Sequence, residues 1–170
     1  MSRDAFDALV ASADPAMIVV TAAADGERAG CLVGFHSQSS IEPRRYAVWL
    51  SKANRTYSVG MRASHFGVHF LTYTDLAIAE LFGAHSCDDI DKFARLPWEE
   101  GAGGVPVLTD LPHFFVGRRV GIQDNGGDHV CVTLEVTSEP ARSDGDEAFE
   151  PLRLSSASHI VPSHAADERR

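Results

Sequence analysis

The feature that most limits the fold is a succession of short β-branched and aromatic runs, each closed by turn residues. Met17-Ile18-Val19-Val20-Thr21 ends at Asp25-Gly26, a pair that favours a two-residue hairpin, so residues 29–35 read as the return strand. Residues 46–50 form a third strand after a loop at Pro43, and residues 66–71 a fourth. Residues 114–122 and 129–137 read as long strands joined by the turn Asp124-Asn125-Gly126-Gly127, and residues 151–154 as a last strand. Helical signals are short. Phe6, Leu9 and Val10 recur at helical spacing within residues 3–13. Asn54 is placed to cap a helix running to Ala63, and Thr74 to cap another over residues 75–82 that Gly83 ends. Residues 84–113 carry acids, glycines and prolines with little period and read as a long ordered excursion. Crossover helices are too few for a doubly wound parallel sheet. The pattern predicts a mainly β (α+β) chain, a β-barrel with short helical insertions.

Composition narrows the function classes. At 170 residues the chain makes one domain, expected over residues 1–162, with a frayed tail at 163–170. No apolar run approaches the roughly 18 residues of a membrane helix, and the first residues lack the apolar core of a secretory signal. A cytoplasmic protein is expected. Fifteen Lys+Arg against 24 Asp+Glu leave a net charge of −9, which disfavours nucleic acid and anionic membranes as partners. Any bound anion must be held by local geometry. Cys31, Cys87 and Cys131 are dispersed, with no Cys-x-x-Cys pair, so reduced thiols are expected and no structural zinc.

Four stretches could carry chemistry, each with a plainer alternative. Ser51-Lys52-Ala53-Asn54-Arg55-Thr56 sits between a strand and a helix. Backbone N–H groups at a helix start, with these side chains, make a competent phosphate cradle. The plainer reading is a capped helix with a solvated arginine. Gly34-Phe35-His36-Ser37-Gln38-Ser39-Ser40 could offer N–H and hydroxyl groups to a flat heterocycle, or be a polar loop. Gly127-Asp128-His129 could bring an imidazole to a substrate, or simply close a turn. Asp88, Asp89 and Asp91 lack calcium-loop spacing and read as a solvated acidic loop. His65 and His69 have the spacing of helical zinc ligands but lie in a strand pattern, and Gly101-Ala102-Gly103-Gly104 lacks the strand and helix of a dinucleotide fingerprint. No metal site is expected.

Taken in order, these stretches resemble the flavin reductase family, whose members adopt the FMN-binding split barrel and work as homodimers. The likeness runs from about Asp14 to Pro162. Met17 to Thr21 resembles the family's first strand, and the run from Gly30 to Pro43 its signature. Ser51 to Thr56 matches its phosphate segment and Phe66 to Leu71 its next strand. Residues 76–82 followed by Asp91-Lys92-Phe93 resemble its helix and Lys-Phe element. Trp98, the run Gly104-Val105-Pro106-Val107-Leu108, Gly127-Asp128-His129 and Pro151-Leu152 complete the series. The chain departs from the pattern at Leu32 and Gly34, where the family commonly carries hydroxyl or amide side chains, at His69 for a strand Asn, and at His159 for a Tyr.

The resemblance implies an NAD(P)H:flavin oxidoreductase that uses FMN or FAD, takes hydride from NADH or NADPH, and supplies reduced flavin to a monooxygenase. The ring would lie against Leu32, Val33, Gly34, Phe35, His36, Ser37, Gln38 and Ser39. Its phosphate would rest on Ser51, Lys52, Ala53, Asn54, Arg55 and Thr56, with Lys92 and Phe93 also at the cofactor. His129 would serve the nicotinamide. Two other readings are a flavin-binding split barrel with little reductase turnover and a dimeric structural or regulatory domain with a vestigial pocket.

Overall fold

A computed structural model describes residues 3–85, 90–140 and 149–162. Cys87, Asp88, Asp89 and the tail expected at 163–170 lie outside the described residues. After helix α1 (Arg3–Ser12) the chain builds β1 (Ile18–Ala24), β2 (Glu27–Val33), β3 (His36–Ser40) and β4 (Arg45–Ser51), then α2 (Arg55–Gly60) and β5 (His65–Phe70). Helix α3 (Leu76–Ala84), a small hairpin of β6 (Trp98–Glu100) and β7 (Pro106–Leu108), and the long strands β8 (Phe114–Gln123) and β9 (His129–Ser138) follow. The sheet order is β2-β1-β5-β8-β9-β4-β3, antiparallel throughout, and β2 comes back near β4 as the sheet curls.

Local chemistry accounts for most of this. Asp25 and Gly26 both have positive φ, 52° and 78°, as a twist-matched two-residue hairpin turn requires. Strand β1 is apolar without alternation because both of its faces are covered. Ile18 and Val20 pack into one core with Cys31, Val48, Leu50, Phe66, Val132 and Leu134. Met17 and Val19 pack into the other with Leu71, Phe82, Leu108 and Leu152. Gly67 on β5 permits close approach, since a Cβ there would collide with the Thr21 hydroxyl and lie 2.9 Å from His69 Cε1. The Thr21 hydroxyl donates to the Pro106 carbonyl at 2.6 Å, which pins the β6–β7 hairpin against the sheet.

Several sequence expectations need correction. The polar stretch from His36 to Ser40 is an edge strand, pairing His36 with Val48 and Gln38 with Tyr46 before a bulge. An edge strand of polar residues has no apolar face, so hydrophobic alternation cannot reveal it. The return strand ends at Val33, not Phe35, and α2 stops at Gly60. Thr72, not Thr74, opens the next helical segment: its N–H and hydroxyl both donate to Asp75 Oδ2, at 2.7 and 2.8 Å. Gly83 lies inside α3, against Leu32 and Ile160. The expected last strand is reduced to two isolated bridges, Ala16 with Arg153 and Thr72 with Pro151, followed by a 3-10 turn over Leu154–Ala157. Helix α1 is amphipathic but uncovered, with Phe6 and Leu9 55% and 63% exposed. Among the described residues no helix is long and apolar enough to cross a membrane.

Candidate functional site

A cleft of about 200 Å³ opens where the β2–β3 connection, the end of β4 and the start of β9 meet. Leu32, Val33, Gly34, Phe35, Ser51, Asn54 and His129 line it, so three separate sequence candidates converge on one place. Met17, Cys31, Trp49 and Leu154 line it as well and were not foreseen. Trp49 had a usable signal. It lies between Val48 and Leu50, both fully buried in the core, so strand alternation turns its ring to the opposite face. Leu154 carries no such signal, because only the tertiary bridge at Ala16 and Arg153 brings it there.

The β4–α2 junction forms one end of the cleft. Asn54 caps α2 by accepting the Thr56 N–H at 3.2 Å, and the Ser51 hydroxyl accepts the Ala53 N–H at 3.3 Å. The capped-helix reading is therefore correct for these two N–H groups. Thr56 is fully buried, yet its Oγ1 has no partner among the described residues. Leaving such a hydroxyl unmet costs about 1–3 kcal/mol. Arg55 stands beside it, its Nη2 3.8 Å from Glu27 Oε2. Glu27 is more tightly engaged by Arg62, at 2.7 Å, and Arg62 also grips Asp25 at 2.5 Å. This exposed cluster ties α2 to the β1–β2 hairpin.

The β8–β9 turn is sewn to the same junction. Lys52 Nζ donates to Asp124 at 2.8 Å, and the Lys52 N–H donates to the Asp128 carbonyl at 2.8 Å. Lys52, helped by the Gly126 N–H, holds the Asp124 carboxyl below its ordinary value. His129 Nδ1 lies 2.8 Å from Asp128 Oδ1. A carboxylate only accepts, so the proton sits on Nδ1. The His129 ring packs on Phe35, with centroids 5.1 Å apart.

Other sequence candidates fall away from the cleft wall. Ser37, Gln38 and Ser39 run along the outer edge strand and are exposed. His36 is half-buried beneath that strand, with both ring nitrogens engaged by the protein. Lys92 is buried: its Nζ donates to the carbonyls of Gly30 and Phe82, at 3.2 and 3.3 Å. Phe93 packs edge-on against Phe82 and Trp98. Neither lines the cleft; they back the strand that does. His69 is fully buried and the Ser64 hydroxyl engages His65, so this pair is structural. Among the described residues no cluster of three metal-ligating side chains occurs.

A curled antiparallel sheet with an apolar cleft at one end, flanked by a capped helix start, defines a split-barrel binding domain. The chain belongs to the family described as flavin reductase like domain, whose model matches residues 11–156. It is 31% identical over 142 residues to a protein of Rhizobium meliloti (strain 1021) named probable flavin reductase, covering 80% of this chain and 42% of that one. It is 32% identical over 114 residues to a Rhodococcus jostii (strain RHA1) protein named flavin-dependent monooxygenase, reductase subunit HsaB, covering 64% and 56%. The chain thus spans about half the length of these two relatives, or less. Among solved structures, flavin reductase HpaC complexed with NADP+ superposes with a TM-score of 0.74 at 19% identity, over 92% of this chain and 95% of that one. The mainly β split-barrel fold is that of these flavin reductases.

Proposed function

We propose that this chain is an NAD(P)H-dependent flavin reductase that binds FMN or FAD in the cleft. The observation that carries the reading is the convergence on one cleft of Leu32, Val33, Gly34 and Phe35 with Ser51 and Asn54 of the helix start and His129 of the rim, the buried Thr56 hydroxyl without a partner among the described residues lying just beyond Asn54 in the same helix start. Apolar walls from Met17, Leu32, Val33, Phe35 and Trp49 suit a flat ring, and the helix start that Ser51 and Asn54 bring to the cleft, with Arg55 and Thr56 next in sequence, suits its phosphate. When bound, a flavin supplies the hydride acceptor and a nicotinamide the donor. The chain's own task is to hold two rings in contact and exclude water, which needs no catalytic triad. His129, on the rim against Phe35, positions the nicotinamide or balances its charge. Lys92 and Phe93 act from behind, through the Gly30 backbone.

The remaining expectations follow from this reading. A homodimer suits a cleft of about 200 Å³, smaller than the roughly 300–1,000 Å³ usual for small-molecule sites, because a second copy can complete it. The uncovered apolar side of α1 supports the same assembly. The Rhodococcus jostii relative bears the name of a monooxygenase reductase subunit, which supports a monooxygenase as the consumer of reduced flavin. A cytoplasmic setting suits an enzyme that draws on the nicotinamide pool. Leu32 and Gly34 offer the ring no side-chain hydroxyl, which favours a second reading, a flavin binder with little turnover.

Titration with FMN, FAD and riboflavin, followed by NADH and NADPH oxidation, tests the proposal. Removing one charge-assisted hydrogen bond costs about 1.5–3 kcal/mol, or roughly 10- to 150-fold in affinity. Arg55→Ala and Thr56→Ala should weaken FMN and leave riboflavin unchanged. Equal losses for both ligands would remove the phosphate from this junction. Flavin binding without nicotinamide oxidation would establish the second reading, and no flavin binding would refute both.

A further inference from the structure

The β2–β3 connection and the segment leading into β1 form facing walls of the cleft. Gly34 and Phe35 stand on one, Met17 on the other, and Leu154 beside Met17. The walls meet closely at Gly34, where a Cβ would lie 3.5 Å from Met17 Sδ. One side chain bridges them. His36 Nε2 lies 2.6 Å from the Ala16 carbonyl, and Nδ1 lies 2.6 Å from the Tyr46 hydroxyl. A carbonyl only accepts, so Nε2 carries the proton; in the neutral ring Nδ1 then accepts from the tyrosine. Burial holds His36 below its ordinary pKa and pushes Tyr46 up to about 12, which keeps this donor order. The Phe70 and imidazole rings stand nearly perpendicular, with centroids 6.2 Å apart.

We propose that His36 is a positioning residue that sets the spacing of the cleft walls by joining the Phe35 wall to the Met17 wall through Ala16, without contacting the ligand. Each end of this strut is anchored. On the Ala16 side, the Met17 N–H donates to the Leu152 carbonyl at 2.7 Å and the Leu154 N–H to the Pro15 carbonyl at 3.0 Å. Residues 15–17 therefore move with Leu154. On the other side, the Trp49 N–H donates to the Phe35 carbonyl at 2.9 Å, and β4 carries Tyr46 as well. Phe35 in turn meets the His129 ring, so the strut also sets the rim. The ring-binding role is thereby moved from His36 to its neighbours. This inference rests on the flavin reading of the cleft, but its first readout does not need the ligand.

The test uses His36→Asn, His36→Gln and Tyr46→Phe. A glutamine amide reaches the Nε2 position and can still donate to Ala16; an asparagine amide occupies the Nδ1 position and cannot. In the ligand-free protein with Trp98→Phe, acrylamide quenching then reports Trp49 alone. Quenching should rise in His36→Asn and return towards the parent in His36→Gln. With ligands, His36→Asn should weaken FMN and riboflavin by the same factor, about 3- to 10-fold, as loss of one hydrogen bond predicts. The KM for flavin should rise by that factor with kcat little changed. Tyr46→Phe should lie between parent and His36→Asn in both readouts. Unchanged quenching and affinity in a folded His36→Asn, equal damage from Gln and Asn, or a loss confined to FMN would overturn the proposal. If the parent protein binds no flavin, the functional reading fails, and the quenching series still decides the strut.

Discussion

Mild acid should destabilise the protein through His69. Its imidazole is fully buried on β5, stacked on Phe114. The Val19 carbonyl lies 3.2 Å from Nδ1, and Nε2 accepts the Leu108 N–H at 3.0 Å. Protonation would give the ring a second N–H, at Nε2, facing the Leu108 donor in a fully buried site. Burial accordingly lowers the pKa from 6.5 to about 4, against a smaller opposite effect of the Val19 carbonyl. Above pH 6.5 the ring is neutral whether the chain is folded or unfolded, and its contribution is level. As pH falls from 6.5 to 4 the unfolded chain takes up a proton that the folded chain refuses, so stability declines. Below about 4 both forms bind it and the decline stops. At 1.36 kcal/mol per pH unit the full loss is about 3 kcal/mol, of which about 2 kcal/mol is spent by pH 5. Urea unfolding at pH 7.5, 6 and 5 measures it. His69→Asn should start about 1–3 kcal/mol less stable, because the Leu108 N–H loses its acceptor. Its stability should then be flatter with pH by about 2 kcal/mol. His36 acts in the same direction, so only the difference between the two proteins counts. Parallel pH profiles for parent and variant would refute the reasoning.

Three further outcomes are expected. His129→Ala should keep its flavin affinity and lose about 10- to 100-fold in kcat/KM for the nicotinamide, roughly 1.4–2.7 kcal/mol; lost flavin or unchanged NADH and NADPH oxidation would leave His129 a turn residue. Gly67→Ala should cost about 1–3 kcal/mol, or roughly 2–12 °C in Tm by calorimetry, because Thr21 and His69 leave no room for a methyl group. Light scattering should give a dimer of two 18.4 kDa chains. A monomer with full flavin affinity would count against an interface that completes the cleft.

Much of the fold is legible in the residues because it rests on local rules. The Asp25-Gly26 hairpin, the Asn54 cap and the long β8–β9 pair each follow from contacts within a few residues or across one turn. The apolar run from Met17 to Val20 shows a buried strand without saying what covers it. The helix start at Ser51 to Thr56, for which phosphate binding is proposed, is likewise visible, since it depends on a cap and its neighbours.

What the residues alone do not show is where distant segments meet. Lys92 and Phe93 are close to α3 in sequence and resemble a cofactor element, but packing sends them into the core behind β2. His36 looks like a polar loop residue until the fold brings Ala16 and Tyr46 to its two nitrogens. Trp49 and Leu154 enter the cleft from segments far apart in the chain. Short-range order is set by backbone and turn energetics, which each sequence window carries within itself. The cleft depends on long-range pairing of β4 with β9 and of Ala16 with Arg153, and on which buried groups find partners across the closed sheet.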